Sequence, residues 1–227
     1  MLALARPGPA DACLDVGTGA GHTAAALARL AGRVVGLDPA VGMLRAAAAA
    51  YGQLANLEFV EGWGDATGLP GGSFDIVTAR HTLHHHASVP NTLREVARVL
   101  KPGGRLVIVD EVTPKPEVDC WYDQLERTRD PTHVRAYSMS EWRAFLEGAG
   151  LAWVVGDAST RYTLDACSWI QRMAPSPEQA EAVQQLFLEA GDDARRTFDI
   201  RFRDGRAVSF DMPMALILAL KPEGDIP

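Results

Sequence analysis

The feature that most constrains the fold is a turn of alternating glycines at residues 17–21, directly after the short apolar run at 12–16. An alanine-rich helical segment at 23–31 follows it. Glycines between a strand and a helix let the backbone approach a bound ligand, because no Cβ intervenes. A dinucleotide-binding turn has a third glycine in the pattern G-x-G-x-x-G, and here His22 stands in its position. The spacing therefore favours a ligand without a pyrophosphate over NAD.

Continuous apolar runs alternate with helical segments through the first half of the chain. Such runs are typical of strands that are covered on both faces, as in a parallel sheet. Repeated strand–helix alternation predicts an α/β fold with a doubly wound, mostly parallel, seven-stranded sheet. The predicted strands are 12–16, 34–37, 57–60, 74–79 and 105–109, and the predicted helices are 23–31, 42–54 and 91–100.

The second half of the chain has a less regular pattern. It predicts strands at 153–161, 198–202, 207–210 and 214–220, and helices at 140–150, 165–173 and 177–190. We expect a single domain over residues 1–227. Its ligand-binding half is expected at 1–110, with helical cap insertions at 111–139 and 162–197 that meet the substrate.

Composition and charge narrow the class of protein. A chain with 47% hydrophobic and 22% charged residues is typical of a globular protein. The formal charge of −7 argues against a partner held through phosphates, so we expect no nucleic-acid partner. The three cysteines are widely spaced and form no C-x-x-C pair, which indicates neither a zinc site nor a disulfide framework.

Membrane and export signals are also lacking in the sequence pattern. The apolar run at 214–220 is far too short to cross a bilayer. The first residues show no basic stretch followed by a long apolar core. We therefore expect a cytoplasmic protein without a membrane partner.

Candidate ligand-binding residues follow the predicted strands, since a doubly wound sheet binds ligands at the carboxyl ends of its strands. Asp15 and the glycine turn end the first strand. Asp38, which precedes Pro39, ends the second strand and can accept both hydroxyls of a ribose; the alternative is a loop acid that caps the next helix. Asp65 follows the third strand and can accept a hydrogen bond from an amine such as that of adenine, although Gly-Asp turns are also common in loops.

Histidines cluster after the fourth strand. That strand ends in Thr78-Ala-Arg-His81, and three adjacent histidines follow at 84–86. Consecutive residues on a helix point about 100° apart, so the three cannot all bind one ion. Without a clear carboxylate or cysteine partner, we expect no metal site. We expect one histidine to face the pocket and the others to face solvent or to be packed.

In this order the motifs resemble those of class I S-adenosylmethionine-dependent methyltransferases, in particular the small-molecule branch that includes the ubiquinone and menaquinone biosynthesis methyltransferases. The resemblance to that branch covers residues 11 to about 110. A narrower likeness to a subgroup of uncharacterised bacterial methyltransferases spans nearly the whole chain, through segments such as 129–135 and 168–172. The motifs are Leu14-Asp-Val-Gly-Thr-Gly-Ala-Gly21, Gly36-Leu-Asp-Pro39, Gly64-Asp-Ala66, Phe74-Asp-Ile-Val77 and Glu95-Val-Ala-Arg-Val-Leu-Lys-Pro-Gly-Gly104.

The resemblance implies a Rossmann-like methyltransferase fold for residues 1–227, S-adenosylmethionine as the cofactor and a small molecule as the acceptor. It also implies a role for each matching residue. The glycine turn would hold the methionine portion with Asp15 near its amino group, Asp38 the ribose and Asp65 the adenine amine, while Arg80 and His81 would lie under the sulfonium. The implied cofactor-binding residues are Asp15, Gly17, Thr18, Gly19, Gly21, Asp38, Pro39, Met43, Asp65, Ala66, Arg80 and His81.

A general base is needed only where the acceptor loses a proton. His81 is the first candidate because it closely follows a strand end. His133 is the second, since it lies in a charged loop at 129–135; the alternative for this loop is a turn tied together by ion pairs. His85 and Glu111 are further candidates.

Two other functions stay open from the residues. One is a nicotinamide-dependent oxidoreductase, which His22 disfavours, and the other is a catalytically inactive S-adenosylmethionine-binding protein. The fourth strand is not followed by the Asn/Asp-Pro-Pro-aromatic signature of enzymes that methylate exocyclic base nitrogens. The expected partner is thus a small-molecule acceptor, with a homodimer as an open option.

Overall fold

The computed structural model describes residues 1–224, which form two compact units. The first unit contains Met1–Asp110, Ser140–Asp157 and residues 216–224. The second contains Glu111–Met139 and Ala158–Ala215. The predicted insertions at 111–139 and 162–197 both lie in the second unit, which is larger than these two segments because it also takes in residues up to 215.

Strands and helices alternate through the first 110 residues except at 62–73, where a connection without a helix joins two strands, as the sequence predicts. The strands are β1 (Ala12–Val16), β2 (Arg33–Asp38), β3 (Leu57–Glu61), β4 (Phe74–Arg80), β5 (Leu100–Glu111), β6 (Ala152–Asp157), β7 (Arg161–Asp165), β8 (Arg201–Arg203) and β9 (Arg206–Leu220). The helices are α1 (Leu2–Ala5), α2 (His22–Ala28), α3 (Val41–Tyr51), α4 (Val89–Val99), α5 (Pro116–Arg129), α6 (Met139–Gly148), α7 (Ala166–Gln171), α8 (Pro177–Leu188) and α9 (Asp192–Thr197). A short 3-10 turn covers Leu83–His85.

The first unit is built on a sheet with the strand order β3-β2-β1-β4-β5-β9-β6. The first five strands pair in parallel, and β6 runs antiparallel to the C-terminal part of β9. The predicted doubly wound, mostly parallel, seven-stranded sheet is confirmed. Because the chain starts at β1 and winds in both directions from it, the carboxyl ends of β1 and β4 flank the point where the strand order reverses.

An apolar core covers one face of this sheet. Cys13 and Ile76 on the strands and Leu27 on α2 are completely buried in it, and Leu2 and Leu4 of α1 pack against it. Burial raises the pKa of the Cys13 thiol to about 12. Cys13 is therefore a small core residue rather than a reactive one.

The start of β5 corrects one prediction. The strand predicted at 105–109 begins earlier than expected, since β5 already begins at Leu100, where the helix predicted at 91–100 was expected to end. The register between β4 and β5 shifts within this stretch, and Gly103 takes a φ of 74°. The backbone N–H of Gly103 donates to the carbonyl of Lys221, so the irregular segment is tied to the end of the sheet.

The second unit has its own aromatic core. Tyr122 of α5 stacks on Phe198 with ring centroids 4.8 Å apart, and Trp169 of α7 meets Phe210 of β9 edge-on at 4.8 Å. Strands β7 and β8 pair antiparallel with the first part of β9. The turn between β8 and β9 has positive φ at Asp204 and Gly205, as a two-residue hairpin turn requires.

No helix among residues 1–224 is both long and apolar enough to span a membrane.

Candidate cofactor site at the glycine turn

The turn between β1 and α2 needs its glycines for two separate reasons. Gly17, Gly19 and Gly21 have φ values of 64°, 53° and 82°, a region that other residues avoid. In addition, a Cβ on Gly17 would lie 1.9 Å from Oγ1 of Thr82, and one on Gly21 would lie 2.9 Å from Cζ of Phe59. Gly21 thus provides the close helix–sheet contact for which a dinucleotide-binding turn uses its third glycine.

Asp38 at the end of β2 fastens this turn. Its Oδ2 accepts the backbone N–H of Gly19 at 2.8 Å, and its Oδ1 accepts that of Ala40 at 2.8 Å. A carboxylate has about four acceptor positions, so each oxygen keeps capacity for another donor such as a ribose hydroxyl. The bond to Ala40, the N-cap of α3, also matches the alternative of an acid at a helix start. The two roles are compatible in this geometry.

Asp15 lies beneath the turn rather than on its surface. It is buried, and its oxygens accept hydrogen bonds from the hydroxyls of Thr18 at 2.8 Å and Thr78 at 2.6 Å. Burial raises the pKa of the Asp15 carboxyl to about 6, although these two hydroxyls lower it. The structure therefore gives Asp15 a supporting position, and its contact with a ligand amino group stays a prediction.

The turn after β3 presents exposed groups at the same edge of the sheet. Asp65 and Ala66 are exposed, and the backbone N–H of Ala66 closes the turn on the carbonyl of Trp63 at 3.1 Å. A Cβ on Gly64 would lie 2.5 Å from Cε1 of His86, so the turn rests against that ring. The carboxylate of Asp65 is thus accessible to a ligand, as the predicted adenine contact requires.

Two exposed apolar side chains flank these groups. Met43 in the first turn of α3 is 44% exposed, and its Cε lies 3.4 Å from where a Cβ on Gly19 would be. Trp63 is 66% exposed, and the sequence reasoning did not select it. Its position between two glycines directly after a strand end was the available signal. Pro39 is also exposed beside Asp38.

The end of β4 places Arg80 and His81 at the switch point of the sheet. Arg80 is exposed, whereas His81 is half-buried and has a φ of 50°. Burial lowers the pKa of the His81 imidazole to about 4; Arg80 and His84 lower it further and Asp110 opposes them. His81 is therefore neutral at pH 7.

The histidines at 84–86 have three different environments. His84 is buried, with its Nδ1 2.5 Å from Oδ1 of Asp110, whose Oδ2 accepts the backbone N–H of Leu83 at 2.7 Å. His85 is half-buried, with its ring centroid 4.0 Å from that of His84. His86 bonds through Nδ1 to the hydroxyl of Thr92 at 2.8 Å. The pairing of His84 with Asp110 was missed, because it joins residues far apart in the sequence.

His133 and Glu111 belong to the second unit. The Nε2 of His133 lies 3.4 Å from Oδ1 of Asp123, and its backbone N–H donates to the carbonyl of Asp130 at 3.0 Å. Glu111 accepts a hydrogen bond from the hydroxyl of Tyr122 at 2.9 Å. Loop 129–135 is thus held by hydrogen bonds and charged pairs, in line with its structural alternative. The catalytic role of either residue stays a prediction.

A family model, a relative in sequence and a solved structure all identify the same family. A family model described as "Methyltransferase domain" matches residues 14–108. The uncharacterised methyltransferase YcgJ of Bacillus subtilis is 35% identical over 212 residues, which cover 92% of this chain and 83% of that protein. Its crystal structure matches with a TM-score of 0.93 at 34% identity, covering 99% of this chain and 97% of that chain.

Two further relatives have names that specify an acceptor. The demethylmenaquinone methyltransferase of Symbiobacterium thermophilum is 31% identical over 193 residues, covering 81% of this chain and 68% of that protein. The 27-O-demethylrifamycin SV methyltransferase of Amycolatopsis mediterranei is 31% identical over 225 residues, covering 94% of this chain and 78% of that protein.

Proposed function

Because the chain belongs to the class I methyltransferase family, we propose that it transfers a methyl group from S-adenosylmethionine to a small-molecule acceptor. The observation that carries the choice of cofactor is the joint geometry of Asp38 and the glycine turn. The carboxylate at the end of β2 is bonded to the N–H of Gly19 and keeps acceptor capacity beside a turn in which three of the five residues are glycines. A ribose with a short chain attached to it fits this arrangement.

The residues present also suit the other parts of the cofactor. Asp65 is exposed after the third strand, and its carboxylate is an acceptor that an adenine amine can use. Met43 and Trp63 offer exposed apolar surface for the faces of a purine ring. When bound, S-adenosylmethionine supplies a methyl group on a positively charged sulfur, and the protein supplies binding and orientation.

His81 suits the neighbourhood of a positive sulfur. Because its pKa is lowered to about 4, its imidazole adds no like charge at neutral pH. Its positive φ is a strained backbone conformation for a non-glycine residue, and such strain is often found at functional sites. We assign His81 the role of general base for acceptors that lose a proton, with His85 and His133 as the alternatives.

A small-molecule acceptor is supported by the relatives and by charge. The demethylmenaquinone and 27-O-demethylrifamycin SV methyltransferases are named for small organic acceptors. The formal charge of −7 disfavours a nucleic-acid acceptor, whose phosphates need a basic surface.

The proposal is tested by incubating the protein with S-adenosylmethionine that carries a deuterated methyl group, together with a bacterial metabolite extract. Mass spectrometry should detect small molecules that gain the labelled methyl group with the unmodified protein but not with Asp38→Ala. Binding of the cofactor without a labelled product from any extract would point instead to the catalytically inactive alternative.

A further inference from the structure

His86 lies between two turns that carry candidate ligand-binding residues. The first is the glycine turn at 17–21. The second, at 62–66, follows β3 and is named here the Asp65 turn. A Cβ on Gly64 would lie 2.5 Å from Cε1 of His86, so the backbone of the Asp65 turn packs directly against the imidazole ring. The ring therefore limits how closely this turn can approach the strand ends.

The same ring reaches the glycine turn through Thr82. Nε2 of His86 lies 3.4 Å from Oγ1 of Thr82, whose side chain is buried. A Cβ on Gly17 would lie 1.9 Å from that oxygen, so Thr82 packs directly against the backbone of the glycine turn. His86 and Thr82 thus form a continuous row of contacts from one turn to the other.

Helix α4 holds the ring in place. Nδ1 of His86 lies 2.8 Å from the hydroxyl of Thr92, which is buried and also bonds to the carbonyl of Ser88 at 3.3 Å. Burial lowers the pKa of the His86 imidazole, so the ring is neutral at pH 7, with one donor and one acceptor nitrogen. The hydroxyls of Thr82 and Thr92 can serve both nitrogens, so rotation of the ring costs hydrogen bonds.

We propose that His86 is a positioning residue, which sets the distance between the Asp65 turn and the glycine turn so that one S-adenosylmethionine molecule can reach both. The proposal rests on the proposed function and deepens it. His86 acts through Gly64 and Thr82, without touching the ligand. A ligand that spans two turns depends on their separation, because binding groups must be held within about 0.5 Å of their productive positions.

The test compares a probe that spans both turns with a probe that touches one. S-adenosylhomocysteine spans them, whereas adenine alone reaches the Asp65 turn. Calorimetric titration measures the dissociation constant of the first probe, and ligand-observed NMR measures that of the weaker second probe. The proteins are the unmodified chain, His86→Ala and His86→Phe.

Ser88→Ala is the matched control. Ser88 is two residues from His86, and its hydroxyl caps α4 by accepting the backbone N–H of Asn91 at 3.3 Å. The control therefore destabilises the same segment but leaves the ring and its contacts in place. Thermal unfolding checks that each variant folds.

We expect His86→Ala to bind S-adenosylhomocysteine about 10- to 30-fold more weakly than the unmodified protein, but adenine within about twofold. The Asp65 turn carries its adenine contacts with it when it shifts, so a probe on one turn does not register the shift. His86→Phe should reduce the loss to about threefold, because it keeps a planar ring beneath Gly64 but makes neither hydrogen bond. Ser88→Ala should bind both probes as the unmodified protein does, despite a lower melting temperature.

Three results would overturn the inference while leaving the proposed function intact. Equal weakening of both probes in His86→Ala would show that His86 supports the adenine contacts alone. Unchanged binding of S-adenosylhomocysteine in His86→Ala would show that the turns keep their distance without the ring. An equal loss in Ser88→Ala would show that destabilisation of the segment is sufficient. If the unmodified protein does not bind S-adenosylhomocysteine, the proposed function fails and the inference fails with it.

Discussion

The backbone N–H of Gly19 donates to Oδ2 of Asp38 over 2.8 Å, so the acid at the end of β2 fixes the turn at the end of β1. One carboxylate thereby fixes the turn, and each of its oxygens keeps a lone pair that can accept a hydrogen bond from a ligand. Loss of Asp38 should therefore affect both the turn and the ligand.

We predict that Asp38→Ala weakens binding of S-adenosylhomocysteine by about 100-fold, because it removes the charge and both acceptor oxygens. Asp38→Asn should weaken binding by about 10-fold, because one acceptor oxygen remains. Calorimetric titration measures both. Glu58→Gln is the control, because Glu58 is an exposed acid on β3 that pairs with Arg33. Equal affinity of Asp38→Ala and the control would remove Asp38 from the site.

Gly17→Ala should destabilise the fold more than Gly68→Ala. Both glycines have a similar positive φ, but an added Cβ clashes with Thr82 at Gly17 and meets nothing within 4 Å at Gly68. Backbone strain should cost each variant about 1 kcal/mol, and the clash should cost Gly17→Ala a further 1 to 3 kcal/mol or so. Urea unfolding measures the difference, and equal losses would show that Thr82 moves aside freely.

The stability of the protein should depend on His81 in a defined pH window. Its pKa is about 4 when folded and about 6.5 when unfolded, so the unfolded state binds the additional proton between these values. The contribution of His81 to the free energy of unfolding is therefore fully present above pH 6.5 and is lost as the pH falls toward 4. Relative to His81→Asn, which lacks this titration, the free energy of unfolding should fall by about 2 kcal/mol between pH 7.5 and 4.5. Parallel curves for the two proteins would refute the shift.

Asp65 should select adenine over hypoxanthine. An adenine amine can donate to its exposed carboxylate, whereas the oxygen of hypoxanthine at the same position is repelled by it. We expect at least about 10-fold tighter binding of S-adenosylhomocysteine than of S-inosylhomocysteine. Asp65→Asn should largely abolish this preference, while Glu61→Gln, at the end of the strand that precedes Asp65, should keep it. A preference that survives Asp65→Asn would assign base recognition to another group.

The first half of the fold could be predicted from sequence because of how parallel strands are buried. Strands β1, β2 and β4 are buried along most of their length, so their continuous apolar runs mark them to within about a residue. Helical structure was expected within 111–139, but the position of helix α5 in that segment was not predicted. Its buried positions include Val118, Tyr122 and Leu125 at helical spacing, but the adjacent buried position is the acid Glu126, which obscures the apolar stripe.

Only part of the candidate site could likewise be predicted from the sequence. The acids at strand ends could be found because a parallel sheet brings all carboxyl ends to one edge. The pairing of His84 with Asp110 could not, since it depends on how the end of β5 meets the loop after β4. The buried position of Asp15 was equally hidden, because the pattern that places it near the turn does not say which way its carboxylate faces.

The central claim is that the glycine turn and Asp38 bind S-adenosylmethionine rather than a dinucleotide. Calorimetric titration of the purified protein with S-adenosylhomocysteine and, separately, with NADH tests it most directly. The account predicts one molecule of S-adenosylhomocysteine bound per chain, loss of that binding in Asp38→Ala, and no heat of binding with NADH. Binding of NADH without binding of S-adenosylhomocysteine would contradict it.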